Sequence, residues 1–302
     1  MRAIPLSEQA SLAKTASWRD YVSLTKPRVI SLLLFATLVA IFLASDGLPS
    51  FTMILWTMVG GYLAAGGAGA INCYLDRDLD ALMSRTCHRA IPGRRLSPQS
   101  ALHFGLLLCI LSMITMYSAV NTMSMLLTAG GIFFYLPVYT IWLKRRTPQN
   151  VVIGGLAGAF PPLVGWAAAS GTVDPMALLL AAIVFCWTPP HFWALALMRR
   201  EDYAQARVPM LPVVRGGRVT RRQILHYAIL VALLSIAPLA LGMGALYAIA
   251  ALVLSGLLLF YATRLLRRPR YANTRRFYFY SLFYLSGILA AMLFDHFMFI
   301  LT

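Results

Sequence analysis

Acidic side chains are scarce: ten Asp and Glu stand against 26 Lys and Arg, and charged residues of both signs make up only 12% of the 302 residues. Soluble chains carry about 25% charged residues, which excludes a water-soluble enzyme, a disordered protein and an ordinary nucleic-acid binder. Cysteine is nearly absent as well. The four present, Cys73, Cys87, Cys109 and Cys186, form no C-x-x-C pair and no His/Cys spacing suited to zinc, so neither a disulfide framework nor a structural zinc site is expected. There is no EF-hand loop. The first 28 residues lack the apolar core of a cleavable leader, so the first hydrophobic run is expected to be a span.

Hydrophobic length is what the chain does have, at 60% of its residues. A spanning helix needs about 20 mostly apolar residues. Nine such stretches occur, over 29–44, 51–75, 100–119, 122–143, 150–170, 175–198, 223–241, 244–263 and 277–301. They predict an all-α integral membrane protein, with a cytosolic N-terminal segment over 1–28 and one nine-helix domain over 29–302. Every Lys and Arg falls in the N-terminal segment or in alternate connections, and the connections between those have none. The positive-inside bias therefore predicts a cytosolic N-terminus and an outward C-terminus, and explains the net charge of +16 without nucleic acid.

Half of the ten acids fall in two clusters, Asp76, Asp78 and Asp80, then Glu201 and Asp202. Asn72, Asp76 and Asp80 are spaced four apart, so on a continuous helix they share one face over about 12 Å. Asp78 points away from that face. Hard oxygen donors so arranged suit Mg²⁺, which prefers one or two carboxylates together with substrate phosphate oxygens, and intramembrane acids normally face a partner or an aqueous cavity. The alternative is a solvated helix end paired with Arg77, Arg85 or Arg89. Basic residues flank the cluster: Lys26 and Arg28 at the first span, Arg85, Arg89, Arg94 and Arg95 after the acids, and Lys144, Arg145 and Arg146 at the fourth span. Together they fit an anionic ligand such as a diphosphate, or they mark the cytosolic side only.

The sixth span ends Trp187-Thr-Pro-Pro-His191-Phe-Trp193, and two successive prolines predict a break or kink. If helix resumes, His191 and Asp202 have nearly the same azimuth. His191 has several readings: a ligand to haem iron, a partner of a propionate or a diphosphate, a proton carrier, or a packing residue.

The stretch Asn72-Cys-Tyr-Leu-Asp76-Arg-Asp-Leu-Asp80, followed by Met83-Ser-Arg85-Thr86 and Arg89, resembles the first aspartate-rich motif of the intramembrane aromatic prenyltransferases. Thr25-Lys-Pro-Arg28, Leu143-Lys-Arg-Arg-Thr-Pro-Gln-Asn150, Gly154-Gly155 through Gly158-Ala-Phe-Pro-Pro162, Pro190-His-Phe-Trp193 and Glu201-Asp-Tyr203 leading to Pro209-Met-Leu-Pro-Val213 are similar to its protohaem IX farnesyltransferase branch. The resemblance implies a nine-helix bundle around a central cavity with a cytosolic polar cap, in a bacterial inner membrane. It implies farnesyl diphosphate and haem B as substrates, Mg²⁺ as cofactor, and a haem-pathway or oxidase-assembly protein as a potential partner. Asn72, Asp76 and Asp80 would hold the metal, while Lys26, Arg28, Arg85, Arg89, Lys144 and Arg145 would bind diphosphate. His191 and Asp202 join the catalytic set, and Tyr135, Tyr139, Trp187 and Trp193 line the substrate pocket. The second acidic motif departs from the wider superfamily, because His191 and Leu195 stand where a pair of aspartates is usual. Three rivals remain: prenylation of another aromatic acceptor such as a quinone precursor, a secondary transporter, whose sites lie nearer the midplane than these acids, and a haem-handling protein without catalysis.

Overall fold

The computed structural model describes residues 16–301, with side chains to residue 298. Residues 1–15 of the expected N-terminal segment and residue 302 lie outside the described residues. Among the described residues all regular structure is helical. Eight helices are long and apolar enough to cross a membrane: Phe51–Leu75, Pro98–Ala119, Thr122–Leu143, Asn150–Ser170, Pro175–Met198, Gly216–Leu241, Ala245–Arg267 and Tyr271–Met298. A pair bent by 48°, Trp18–Thr25 and Pro27–Leu43, makes a ninth. These are the second to ninth spans and the first, in agreement with the nine apolar stretches.

Local chemistry explains the ends. Ser17 caps Trp18–Thr25 in a capping box closed by Asp20, and the side chains of Ser50, Ser97 and Asn121 each accept from the first turn of the helix they open. The first span bends because Lys26 takes a left-handed backbone, with φ of 55°, immediately before Pro27. The expected cytosolic N-terminal segment is therefore partly packed into the bundle, since Leu24 and Thr25 are buried against the second span.

The expected break at Pro189-Pro190 does not occur. Pro175–Met198 runs as one α-helix through both prolines. Membrane helices tolerate proline where neighbouring protein shields the freed backbone, and here Thr188, Pro189, Pro190 and His191 are all buried. The irregular segment lies elsewhere. Phe134–Leu143, in the fourth span, is π-helical and carries Pro137, a conformation that re-aims side chains and is frequent at functional sites.

The first span packs on the second, fifth and ninth, and the sixth packs on the seventh and ninth. Close approach needs small residues. A Cβ at Gly67 in the second span would lie 2.7 Å from the Gly105 carbonyl of the third, and a Cβ at Gly105 would lie 2.8 Å from the Gly67 carbonyl, so these two backbones touch as in small-residue membrane packing. The outer face of the third span is apolar and exposed at Leu106, Leu107, Ile110 and Ile114, as a bilayer requires.

At the end of the bundle away from the acidic clusters, Asp295 of the ninth span caps the eighth. Its Oδ2 accepts from Gly244 N at 2.6 Å and its Oδ1 from Tyr247 N at 3.1 Å. Asp295→Ala removes both acceptors from a helix start and is expected to lower stability by about 1–2 kcal/mol, read as a fall in unfolding temperature in detergent. An unchanged transition would show that the cap contributes nothing.

Candidate functional site

The second span ends at Leu75, Asp76 forms a one-residue joint, and a short helix follows over Arg77–Leu82. Helical bonding survives the joint, with Asp76 N donating to Asn72 O at 2.9 Å and Asp80 N to Asp76 O at 2.8 Å. Asn72, Asp76 and Asp80 are accordingly all buried, at 4%, 2% and 5% exposure, while Asp78 is exposed. So deep a set of acids needs counter-charge.

Cations supply it from three parts of the chain. Lys26 Nζ donates to Asn72 Oδ1 at 2.7 Å. Asn72 Nδ2 donates to Asp76 Oδ2 at 2.7 Å and to Thr140 Oγ1 at 3.1 Å. Lys144 Nζ reaches Asp76 Oδ2 at 2.5 Å, and Arg89 reaches Asp80 Oδ2 at 2.7 Å. One oxygen stays without a partner: Asp76 Oδ1 is sealed from solvent and accepts no hydrogen bond. Among the described residues no three His, Cys, Asp or Glu side chains come together. Side-chain oxygens of Asn72, Asp76 and Asp80 are engaged by Lys26, Lys144 and Arg89, and Asp76 Oδ1 is the one left sealed and unpaired.

The π-helical segment places Thr140 against Asn72, with Thr140 Oγ1 donating to Tyr135 O at 2.8 Å. On the same segment Tyr135 and Tyr139 stack with ring centroids 6.0 Å apart. Arg145 forms a fork onto Asp78, at 2.6 and 2.7 Å. That hydrogen-bonded guanidinium holds the Asp78 carboxyl below its usual range. Beside it a recess of about 410 Å³ is lined by Leu75, Arg77, Asp78, Thr140, Ile141 and Arg145.

The second acidic cluster meets the loop that follows the second span. Ser84 Oγ donates to Asp202 Oδ1 at 2.9 Å, and Arg85 reaches the Tyr203 hydroxyl at 3.2 Å while lying over that ring. Arg85 Nε and Asp202 Oδ2 are buried without partners. Glu201 and Arg28 are exposed. His191 and Trp187 stack on one another against the ninth span, where His191 Nδ1 meets Ser281 Oγ at 2.8 Å and Trp187 Nε1 donates to Ser281 O at 2.6 Å. Trp193 is 2% exposed and packs edge-on to Tyr227 of the seventh span. His191 and Asp202 do not share a continuous helix, because Arg199 interrupts it.

Thr140, Tyr278 and Ser281 were not singled out by sequence, and Ser84 and Tyr203 stood inside quoted motifs without a role of their own. Thr140 alone had a local signal, lying four residues before Lys144; the others depend on contacts between distant segments.

Several proteins are similar to this chain over most of its length. A protein named Protoheme IX farnesyltransferase from Roseiflexus castenholzii is 49% identical over 283 residues, covering 93% of this chain and 53% of that protein. One of the same name from Marinobacter nauticus is 43% identical over 301 residues, covering 99% of each. The chain thus spans about half the length of the first relative and nearly all of the second. The solved structure of a UbiA homolog from Archaeoglobus fulgidus bound to DMAPP and Mg²⁺ has a TM-score of 0.68 at 16% identity, covering 90% of this chain and 99% of that one. At that identity the likeness speaks for the fold. The model of the UbiA prenyltransferase family matches residues 33–287, and with a match over that much of its length this membrane protein belongs to the UbiA prenyltransferase family.

Proposed function

We propose that this protein transfers the farnesyl group of farnesyl diphosphate to a vinyl group of haem B, with addition of water, giving haem O and diphosphate. The observation that carries the transferase reading is the sealed, unpartnered Asp76 Oδ1 within a group of cations formed by Lys26, Lys144 and Arg89. An orphaned buried carboxylate oxygen is costly, and a divalent cation satisfies it. The name shared by the relatives supports haem B as acceptor.

The residues fit Mg²⁺, with Asn72, Asp76 and Asp80 as its protein oxygens, and the ion when bound supplies charge neutralisation to the departing diphosphate. The chain's own cations do the same work from the sides. As the allylic C–O bond breaks, its electron pair leaves on the diphosphate. Lys26, Lys144 and Arg89 sit beside that position, and Arg28, Arg85 and Arg145 extend the positive rim. Charge placed in advance stabilises the transition state more than the ground state. The Tyr135–Tyr139 pair offers aromatic faces to the farnesyl cation, an attraction of about 2 kcal/mol when desolvated. The vinyl π electrons then form the new C–C bond. Water adds to the resulting cation and loses a proton, and it must enter late because early entry quenches the farnesyl cation.

On this reading residues 29–302 act as one prenyltransferase domain of a bacterial inner membrane. Its polar end, which holds Asp76, Lys144 and Asp202, faces the cytosol; the C-terminus faces outward. A haem-pathway or oxidase-assembly protein would receive the product.

Lys144→Met keeps the stem and removes the charge, and is expected to lower the transfer rate about 100-fold with an unchanged far-UV CD spectrum. An unchanged rate would remove Lys144 from the diphosphate site. For the reaction itself, purified protein is incubated with Mg²⁺, radiolabelled farnesyl diphosphate and either haem B or 4-hydroxybenzoate. Label in a haem product with release of diphosphate is expected. Label only in the aromatic acid assigns the rival acceptor, and recovery of both substrates intact refutes a transferase.

A further inference from the structure

His191 is buried, at 6% exposure, in the sixth span. Its ring lies between two parallel aromatic faces, Trp187 at 4.6 Å and Tyr278 at 4.7 Å between centroids. Both faces of the imidazole are covered, so only its edge remains for chemistry. One edge atom is taken, because Nδ1 lies 2.8 Å from Ser281 Oγ.

The hydroxyl decides the tautomer. A serine has one proton to give, and Ser281 Oγ donates it to the Tyr278 carbonyl at 2.7 Å. Toward His191 the same oxygen is left as an acceptor, so in the neutral ring Nδ1 carries the hydrogen and Nε2 carries a bare lone pair. Trp187 Nε1, donating to Ser281 O at 2.6 Å, fixes the serine in place. Nε2 has no hydrogen-bond partner among the described residues, yet it is not sealed in the way the partnerless Nε2 of His296 is.

In its neutral form the ring disfavours two of the ligands this histidine could otherwise meet, each of which would require it to take a second proton. A propionate or a diphosphate oxygen needs a donor, and the ring's one N–H is already engaged with Ser281. A metal ion needs what Nε2 offers. Metal-ligating histidines characteristically give their other N–H to a nearby acceptor, which sets the tautomer and orients the ring, and a single histidine is a common axial ligand of haem iron.

We propose that His191 Nε2 is an axial ligand to the iron of the porphyrin substrate, with Ser281 as the positioning residue for its ring. The proposal rests on the haem reading above and deepens it. Coordination holds the macrocycle by its centre and leaves the vinyl periphery free to react.

The test uses the full-length protein in lipid nanodiscs with ferric haem B and no farnesyl diphosphate, read by visible absorption and EPR, with farnesyl transfer measured in parallel. The wild type is expected to show a nitrogen-ligated haem spectrum. His191→Ala should lose it, and added imidazole should restore it. His191→Met, which keeps the volume buried, should change the ligand field toward that of a thioether even if the alanine variant folds poorly. Ser281→Ala should weaken haem affinity about 10-fold while retaining the nitrogen signature. If wild type and both His191 variants bind haem with the same spectrum while wild type still transfers farnesyl, the ligand assignment is overturned and the proposed function stands. If wild type neither binds nor farnesylates haem B, both fall.

Discussion

Asp76→Asn is expected to abolish farnesyl transfer, by at least about 1,000-fold, while the protein remains folded in the membrane. The substitution is nearly isosteric, and the amide oxygen still accepts from Asn72 Nδ2 or Lys144 Nζ, the two groups now on Asp76 Oδ2. What disappears is the negative charge, and with it the sealed oxygen that lacks a partner. An amide holds a divalent cation far less strongly than a carboxylate. The measurement is product formation from radiolabelled farnesyl diphosphate over a range of Mg²⁺ concentrations. A rate equal to that of the wild type at every concentration would sink the metal assignment, and partial recovery at high Mg²⁺ would strengthen it.

The second large effect concerns packing. A Cβ at Gly165, in the fifth span, would run into the carbonyl oxygen of Thr37 in the first. The obstacle is backbone, and it cannot swing aside. Thr37 is held there by its own hydroxyl, whose one hydrogen is shared between Leu33 O and Pro161 O, each at 3.1 Å. Gly165→Val is therefore expected to cost at least the upper end of the roughly 1–3 kcal/mol typical of overpacking, seen as a lower melting temperature and a smaller monodisperse fraction in detergent. Gly256→Val is the control, because a Cβ there meets nothing within 4 Å. Equal behaviour of the two variants would show that the first and fifth spans do not need this approach.

Much of the architecture was legible in the residues because a bilayer imposes a length on every apolar run. All nine spans were found from hydrophobicity alone, and the Asn72–Asp76–Asp80 stripe followed from a spacing of four. The errors have a common cause: each concerns backbone that neighbours determine. Pro189 and Pro190 signal a break by local rules, yet they sit inside a buried helix. The departures from regular α-helix include the left-handed Lys26, the joint at Asp76, the π-helical Phe134–Leu143 and the 3-10 turns Gly155–Ala159 and Ala237–Leu241, and of these the joint at Asp76 and the turn at Gly155 contain no proline to signal them. For the site, the basic residues were recognisable as a group, but their assignment was not. Arg89 goes to Asp80, Lys144 to Asp76 and Arg145 to Asp78, which requires the loops to be folded against each other. The tautomer of His191 depends on a serine ninety residues away, beyond any reading of local pattern.

Lys26 is both a corner of the main chain and the owner of an ammonium that touches Asn72. A backbone demand and an electrostatic contact thus meet in one residue. Glycine there would ease the left-handed turn but delete the charge, and arginine would keep the charge but reshape its reach. Separating the two contributions calls for an unnatural residue such as norleucine, whose apolar stem leaves the backbone demand as it is and silences the amine.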